Sequence, residues 1–254
     1  MLSSAMPTCA TSVTPRGQPA SAITVSINRS RRASSASPNR FRAAMRSAAG
    51  NVAQGPWSKA WRAARMAASV WAGDVHVLSD DEILGFAFLL LAAGSGTTWK
   101  QMGITLTALL SHPDWLLAAK ADPTVLRASI EESLRWTPTD PMFARFATRD
   151  TTLGGFDVPA GSVVHACFGA ANRDPSRWDR PDEFDPGRPL QAHLGFGGGP
   201  HICLGMHVAR AEMQTAIAAL LARLPNLRSD PDAETPRIIG MYERGPTSVP
   251  VVFG

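Results

Sequence analysis

The first 73 residues contain no aspartate or glutamate, although they hold ten lysines and arginines, among them Arg16, Arg29, Arg31, Arg32, Lys59 and Arg65. The remainder of the 254-residue chain is acidic, so the formal net charge of +4 conceals two segments of opposite sign. Cysteine is scarce as well. Cys9, Cys167 and Cys203 are widely spaced and odd in number, which excludes a disulfide framework and suits a reducing interior. No Cys-x-x-Cys pair exists, so a structural zinc site has no recognisable ligand set, and His201, Cys203 and His207 alone do not make one. Long hydrophobic runs are missing too. The strongest, Ile83 to Ala93, falls short of the roughly 20 residues a membrane span needs. It is expected to form a buried helix and not an anchor.

Residues 1–73 are read as a basic, acid-free leader, disordered or non-native, with the folded domain over residues 74–254. The first fifty residues are rich in Ser and Ala with weak periodicity, as disordered segments are. An organelle transit peptide, a basic nucleic-acid arm, an unspecific tail and a segment never selected as folded protein, such as a translated alternative frame, all remain open. No motif supports nucleic-acid binding, and none is expected. Residues 56–70, with Trp57, Trp61 and Met66, could form a helix with a basic face.

What is present becomes legible from Ser79 onward. Ser79-Asp80-Asp81-Glu82 is a capping box: a hydroxyl for the free amides of the first turn, and a glutamate reaching back. A helix is expected from Asp80 to about Leu110, with Pro113 beyond its end. In its middle, Ala93-Gly94-Ser95-Gly96-Thr97-Thr98 places two glycines and several hydroxyls where packing should favour Leu or Ala. A hydroxyl there can take a backbone carbonyl and open a groove beside a ligand; a kink or close helix packing would use the same residues. A second helix, Pro123 to Trp136, puts Glu132 and Arg135 three residues apart on one side. Strands are expected at 145–147, at 151–153 with 156–159 as a hairpin across Gly154-Gly155, and at 162–168.

Near the C-terminus, Phe196-Gly197-Gly198-Gly199-Pro200-His201-Ile202-Cys203-Leu204-Gly205 delivers one cysteine to the start of a helix running to Arg223. Free N–H groups and the positive helix end favour a thiolate there. Glycines let the backbone approach a flat ligand, and a thiolate on such a cushion suits the proximal side of a haem iron. A buried structural cysteine is the plainer alternative.

The loop resembles the haem-binding segment of the cytochrome P-450 (haem-thiolate monooxygenase) family, Phe-Gly-x-Gly-x-His-x-Cys-x-Gly, with Phe196, Gly197, Gly199, His201, Cys203 and Gly205 at every fixed position. Ala93, Gly94, Thr97 and Thr98 are similar to its oxygen-activating helix. Gly96 departs from that pattern, standing where the family carries Asp or Glu; without that carboxylate, proton delivery needs water or another residue. Glu132 and Arg135 match the family's Glu-x-x-Arg, and Arg188, in a meander beginning at Ala171, matches the third member of that structural lock.

The resemblance runs from about residue 80 to residue 254. It implies a mainly α fold with a small β region, like the C-terminal half of the family's domain. Cys203 would be the axial ligand of haem b (iron protoporphyrin IX), Arg145 and His201 would face its propionates, and Thr97 and Thr98 would serve proton relay. The implied activity is insertion of one oxygen atom of dioxygen into a small lipophilic substrate, with electrons from NAD(P)H through a ferredoxin or flavoprotein reductase, in the cytoplasm. The early β-sheet, a haem-clamping Trp/Arg helix and the lid helices have no counterpart in the sequence. The other expectation is therefore a truncated, non-catalytic remnant with weak or no haem binding.

Overall fold

The computed structural model describes residues 78–254, so the leader at 1–73 and the possible helix at 56–70 lie outside the described residues. Helix α1 (Asp80–Ser111) starts as its sequence dictates. The Ser79 hydroxyl accepts from the Glu82 amide, and the Ser79 amide donates to Glu82 Oε2 at 2.8 Å. His112 ends α1 and opens α2 (Pro113–Ala121), where Pro113 occupies a first-turn position whose N–H would lack a helical partner anyway. Asp122 caps α3 (Pro123–Trp136) by accepting from the Thr124 amide at 2.7 Å.

The described residues also form four antiparallel strand pairs. Strand β1 (Phe143–Phe146) pairs with β4 (Val163–Ala166), and β2 (Thr151–Leu153) forms the expected hairpin with β3 (Phe156–Val158). The strand expected over 162–168 is shorter and belongs to the other pair. From Phe168 the chain turns into the four-residue helix α4 (Phe168–Ala171), its Gly169 amide donating to the Pro141 carbonyl. A meander then leads to α5 (Met206–Arg223), and the C-terminal tail adds β5 (Arg228–Ser229), β6 (Ile238–Ile239), β7 (Gly245–Pro246) and β8 (Val251–Val252). Helix α2 was not anticipated; its mixed sequence has little apolar periodicity.

The core lies where α1, α2, α3 and α5 meet. Ala108 and Leu109 of α1 lie with Leu116, Leu126, Ile130, Leu134, Met213, Ile217 and Leu221, and Phe184 of the meander closes one side; Ile104, one turn earlier on α1, is buried as well. Each large side chain contributes about 1.5–3 kcal/mol on burial. Every fully buried residue of α1 lies from Gln101 onward. The run Ile83 to Ala93, expected to be buried, is instead exposed: Phe86, Phe88, Leu89 and Leu90 are about half accessible and Leu91 71%. The other elements meet the later half of the helix, and nothing among the described residues covers the earlier turns. By length and composition α1 is also long and apolar enough to cross a membrane, because the run continues into 32 helical residues. The length of that single run did not reveal this.

Candidate functional site

The cysteine loop is built by short backbone bonds. The Gly197 amide donates to the Leu194 carbonyl at 3.0 Å, Ile202 to Gly199 at 3.1 Å, and Cys203 to Phe196 at 2.9 Å. Two of the turns need positive φ, 72° at Gly197 and 66° at Gly199, a region closed to most side chains. Gly205 is the N-cap of α5, so Cys203 stands two residues ahead of it, and its carbonyl accepts from the Met206 amide. Cys203 is a free, exposed thiol. His201 is exposed in the 3₁₀ turn Gly199–His201.

What holds this loop was not evident from its own residues. Arg210, on the second turn of α5, donates to both oxygens of Glu131 on α3, at 2.6 and 2.8 Å. His193 Nε2 lies 3.1 Å from the same carboxylate, and the Arg210 guanidinium stacks over Phe196 at 4.6 Å. Burial pushes the Glu131 carboxyl up, but the hydrogen bonds and charges of His193 and Arg210 prevail and hold it down at about 2. The loop is therefore clamped to α3 at both ends, by Arg210 behind the cysteine and by His193 ahead of it. Gly195 completes the approach: a Cβ there would meet the Leu134 carbonyl at 2.7 Å.

The structure brings Glu132, Arg135 and Arg188 together. Arg135 donates to both carboxylate oxygens of Glu132, at 2.7 and 2.8 Å, and Arg188 Nε reaches Glu132 at 3.4 Å. Arg135 is 1% exposed and Glu132 6%. The remaining N–H groups of Arg135 bond the carbonyls of Asn172, Pro181 and Glu183, while Arg188 also bonds the Asp179 and Arg180 carbonyls. A fork of donors thus satisfies the bends of the whole meander. This is no exposed helix pair of a few tenths of a kcal/mol.

Thr97 Oγ1 donates to the Ala93 carbonyl at 2.9 Å within an unbroken helix; Thr98 is half-buried beside it. That turn is tied to α3 by a buried polar network the sequence did not disclose. Thr139 Oγ1 approaches the Thr97 carbonyl at 3.5 Å, Gln101 accepts from the Thr139 amide, and Thr105 meets Ser133 at 2.7 Å. Arg145 is exposed on β1 and, among the described residues, its side chain bonds the Ala144 carbonyl next to it. Its strand is linked to the loop: Phe143 stacks on Phe168 at 5.5 Å, and Phe168 lies under Gly197. Arg145 and His201 form no ion pair among the described residues.

The matching family model is Cytochrome P450, over residues 64–238. The chain belongs to the cytochrome P450 family. A cytochrome P450 105C1 of a Streptomyces species is 44% identical over 183 residues, which is 69% of this chain and 47% of that protein. The mycinamicin IV hydroxylase/epoxidase of Micromonospora griseorubida is 38% identical, over 69% of this chain and 45% of its own length. The crystal structure of CYP109E1 from Bacillus megaterium with testosterone superposes with a TM-score of 0.66 at 31% identity, covering 70% of this chain and 49% of that one. This cytochrome P450 chain therefore spans about half the length of the relatives it matches, and its helices and small sheets form part of the P450 fold.

The residues present fit a haem. A single exposed sulfur at a helix start and a glycine turn with nothing within 4 Å of a Cβ at Gly199 suit a flat iron macrocycle. No group of three His, Cys, Asp or Glu able to hold a bare metal ion occurs among the described residues.

Proposed function

We propose that this cytochrome P450 chain is a haem-binding monooxygenase acting on a small lipophilic substrate. The observation that carries the reading is the Cys203 sulfur, presented in the open by a glycine loop that Glu131 and Arg210 clamp to the core. Haem b, when bound, supplies activation of dioxygen and transfer of one oxygen atom to the substrate. Cys203 would hold the iron as thiolate and raise its electron density. Arg145 and His201 each offer N–H donors to propionate oxygens at the group's edge. The Thr97 and Thr98 hydroxyls would hold and pass protons for that chemistry. Electrons come from NAD(P)H through a ferredoxin or flavoprotein reductase. A lipophilic substrate accords with the testosterone bound by CYP109E1 and with the exposed aromatic and aliphatic side chains Phe143, Phe146 and Ile202. A cytoplasmic place accords with relatives from bacteria and with the later half of α1 serving as core.

The second reading is a non-catalytic member that holds haem weakly or not at all. The exposure of Phe86, Leu89 and Leu91 on the first half of α1 among the described residues favours it, because a pocket that leaves that face open covers a haem incompletely. The carbon monoxide difference spectrum of the reduced, haem-reconstituted 254-residue chain decides between them. A red-shifted thiolate band that disappears in Cys203→Ala supports the first reading. Apoprotein that takes up no haem overturns it.

A further inference from the structure

We propose that Glu243, carried in by the C-terminal hairpin, supplies the carboxylate beside the middle of α1 that Gly96 leaves open, and positions the Thr97-Thr98 turn for proton exchange. A Cβ built on Gly96 would lie 3.1 Å from Glu243 Oε2 and 3.7 Å from Lys100 Nζ. Glu243 Oε2 and Lys100 Nζ are 2.7 Å apart, so the carboxylate is held one turn beyond the glycine by a lysine of the same helix. A longer side chain at position 96 would project into the space that Glu243 occupies.

The hairpin is shaped for this placement. Glu243 takes φ 47° and Gly240 φ 107°, and a Cβ at Gly240 would strike the Arg244 backbone at 2.9 Å. Left-handed backbone at a glutamate is unfavourable and persists where surrounding contacts enforce it. Here they do: the Glu243 amide donates to Asp140 Oδ1 at 2.9 Å, the Arg244 amide to the Thr139 carbonyl at 2.8 Å, and Arg244 Nε to the Pro138 carbonyl at 3.0 Å. Segment 138–140 is also what ties down the Thr97 turn, through Thr139 Oγ1 and Gln101. One segment therefore fixes both the carboxylate and the hydroxyl turn.

Close approach of hairpin and helix depends on glycines at the contact. Gly245 would meet Lys100 Cγ at 3.1 Å, and Gly103 would meet Pro246 Cγ at 2.8 Å. Asp140 lies beneath, where burial and then the Glu243 charge push its carboxyl above the ordinary value, against the Glu243 amide and Lys100. Glu243 itself is 47% exposed and can exchange protons with solvent on its outer side.

The role in proton exchange rests on the haem reading; the placement of the carboxylate does not. Thermal unfolding of the full chain without haem tests the placement, comparing Gly96→Ala and Gly96→Glu in the native and Glu243→Gln backgrounds. The alanine variant removes the gain in helix propensity common to both. Two carboxylates competing for Lys100 should lower the melting temperature of Gly96→Glu by about 3 °C relative to Gly96→Ala, a difference that vanishes or reverses in the Glu243→Gln background. The same difference in both backgrounds overturns the placement. In the haem-loaded chain that shows the thiolate band, Glu243→Gln should raise the share of NAD(P)H electrons recovered as hydrogen peroxide several-fold, and Gly96→Glu with Glu243→Gln should restore it. An unchanged share overturns the proton role. A wild-type chain without the band overturns the haem reading and leaves the thermal comparison standing.

Discussion

At Glu131 one carboxylate serves two partners, and the position of the cysteine loop depends on it. The Arg210 fork and His193 Nε2 both converge on its two oxygens, while Phe196 lies under the guanidinium. Replacing Glu131 by Gln keeps the shape but removes the charge and leaves a half-buried arginine uncompensated. The expected loss is about 2 kcal/mol, below the 3–5 kcal/mol of fully buried pairs because Arg210 is 29% exposed. Urea unfolding at neutral pH measures it. The pH dependence has a defined sign. Glu131 is depressed from 4.5 to about 2 in the folded state, so its contribution is complete above about 4.5 and is lost as pH falls toward 2. The stability gap between wild type and Glu131→Gln should therefore narrow as pH falls from about 4.5 toward 2. The cysteine motif was legible in ten consecutive residues, but this clamp was not. His193 and Arg210 lie 62 and 79 positions from Glu131, and each alone resembles any surface residue. Only the fold makes them neighbours.

The elements divide according to whether their signals are local. Helix α1 begins at its capping box, α3 spans Pro123–Trp136 as its proline and periodicity require, and the hairpin turns at Gly154-Gly155, because caps, prolines and glycines act within a few residues. The pairing of β1 with β4 across the intervening hairpin, and the early turn at Phe168 where the Gly169 amide finds the Pro141 carbonyl, join distant positions and so were not readable from alternation. The meander shows the same dependence at larger scale, since it has almost no regular structure of its own. Its carbonyls at Asn172, Pro181 and Glu183 are satisfied by Arg135. Arg135→Ala would leave the Asn172 and Pro181 carbonyls without their arginine donor and the buried Glu132 carboxylate with only the Asp185 amide and Arg188, an expected loss of about 3–5 kcal/mol. Arg135→Lys should lose nearly as much, because one ammonium cannot serve two carboxylate oxygens and three carbonyls at once. Hydrogen exchange would locate the damage: amides of 172–188 should lose protection before those of α5. Uniform loss across both would mean that the meander is not a separate dependent of the arginine.

For the whole molecule, the dominant fact is that among the described residues the core is well formed at the later end of α1 and does not reach the earlier end. Ala108 and Leu109 are sealed among three other helices, whereas Phe86, Leu89 and Leu91 stand about half or more exposed on the same helix. Sequence could not separate these halves, because both are apolar and helical; burial is decided by what packs on a face, not by the face itself. A continuous apolar stripe of this kind binds hydrophobic dyes and promotes association of the chain. The 254-residue protein should therefore enhance the fluorescence of an anilinonaphthalene dye at neutral pH and sediment faster as its concentration rises. Leu89→Glu with Leu91→Glu should suppress both effects. The melting temperature should stay within about 2 °C of wild type, since exposed substitutions change stability by no more than about 0.5 kcal/mol. If the double variant unfolds instead, those leucines are buried in solution and the first half of α1 is covered. If dye binding persists at full strength, the exposed surface lies elsewhere, around Phe146, Leu204 and Val208, which are also largely accessible.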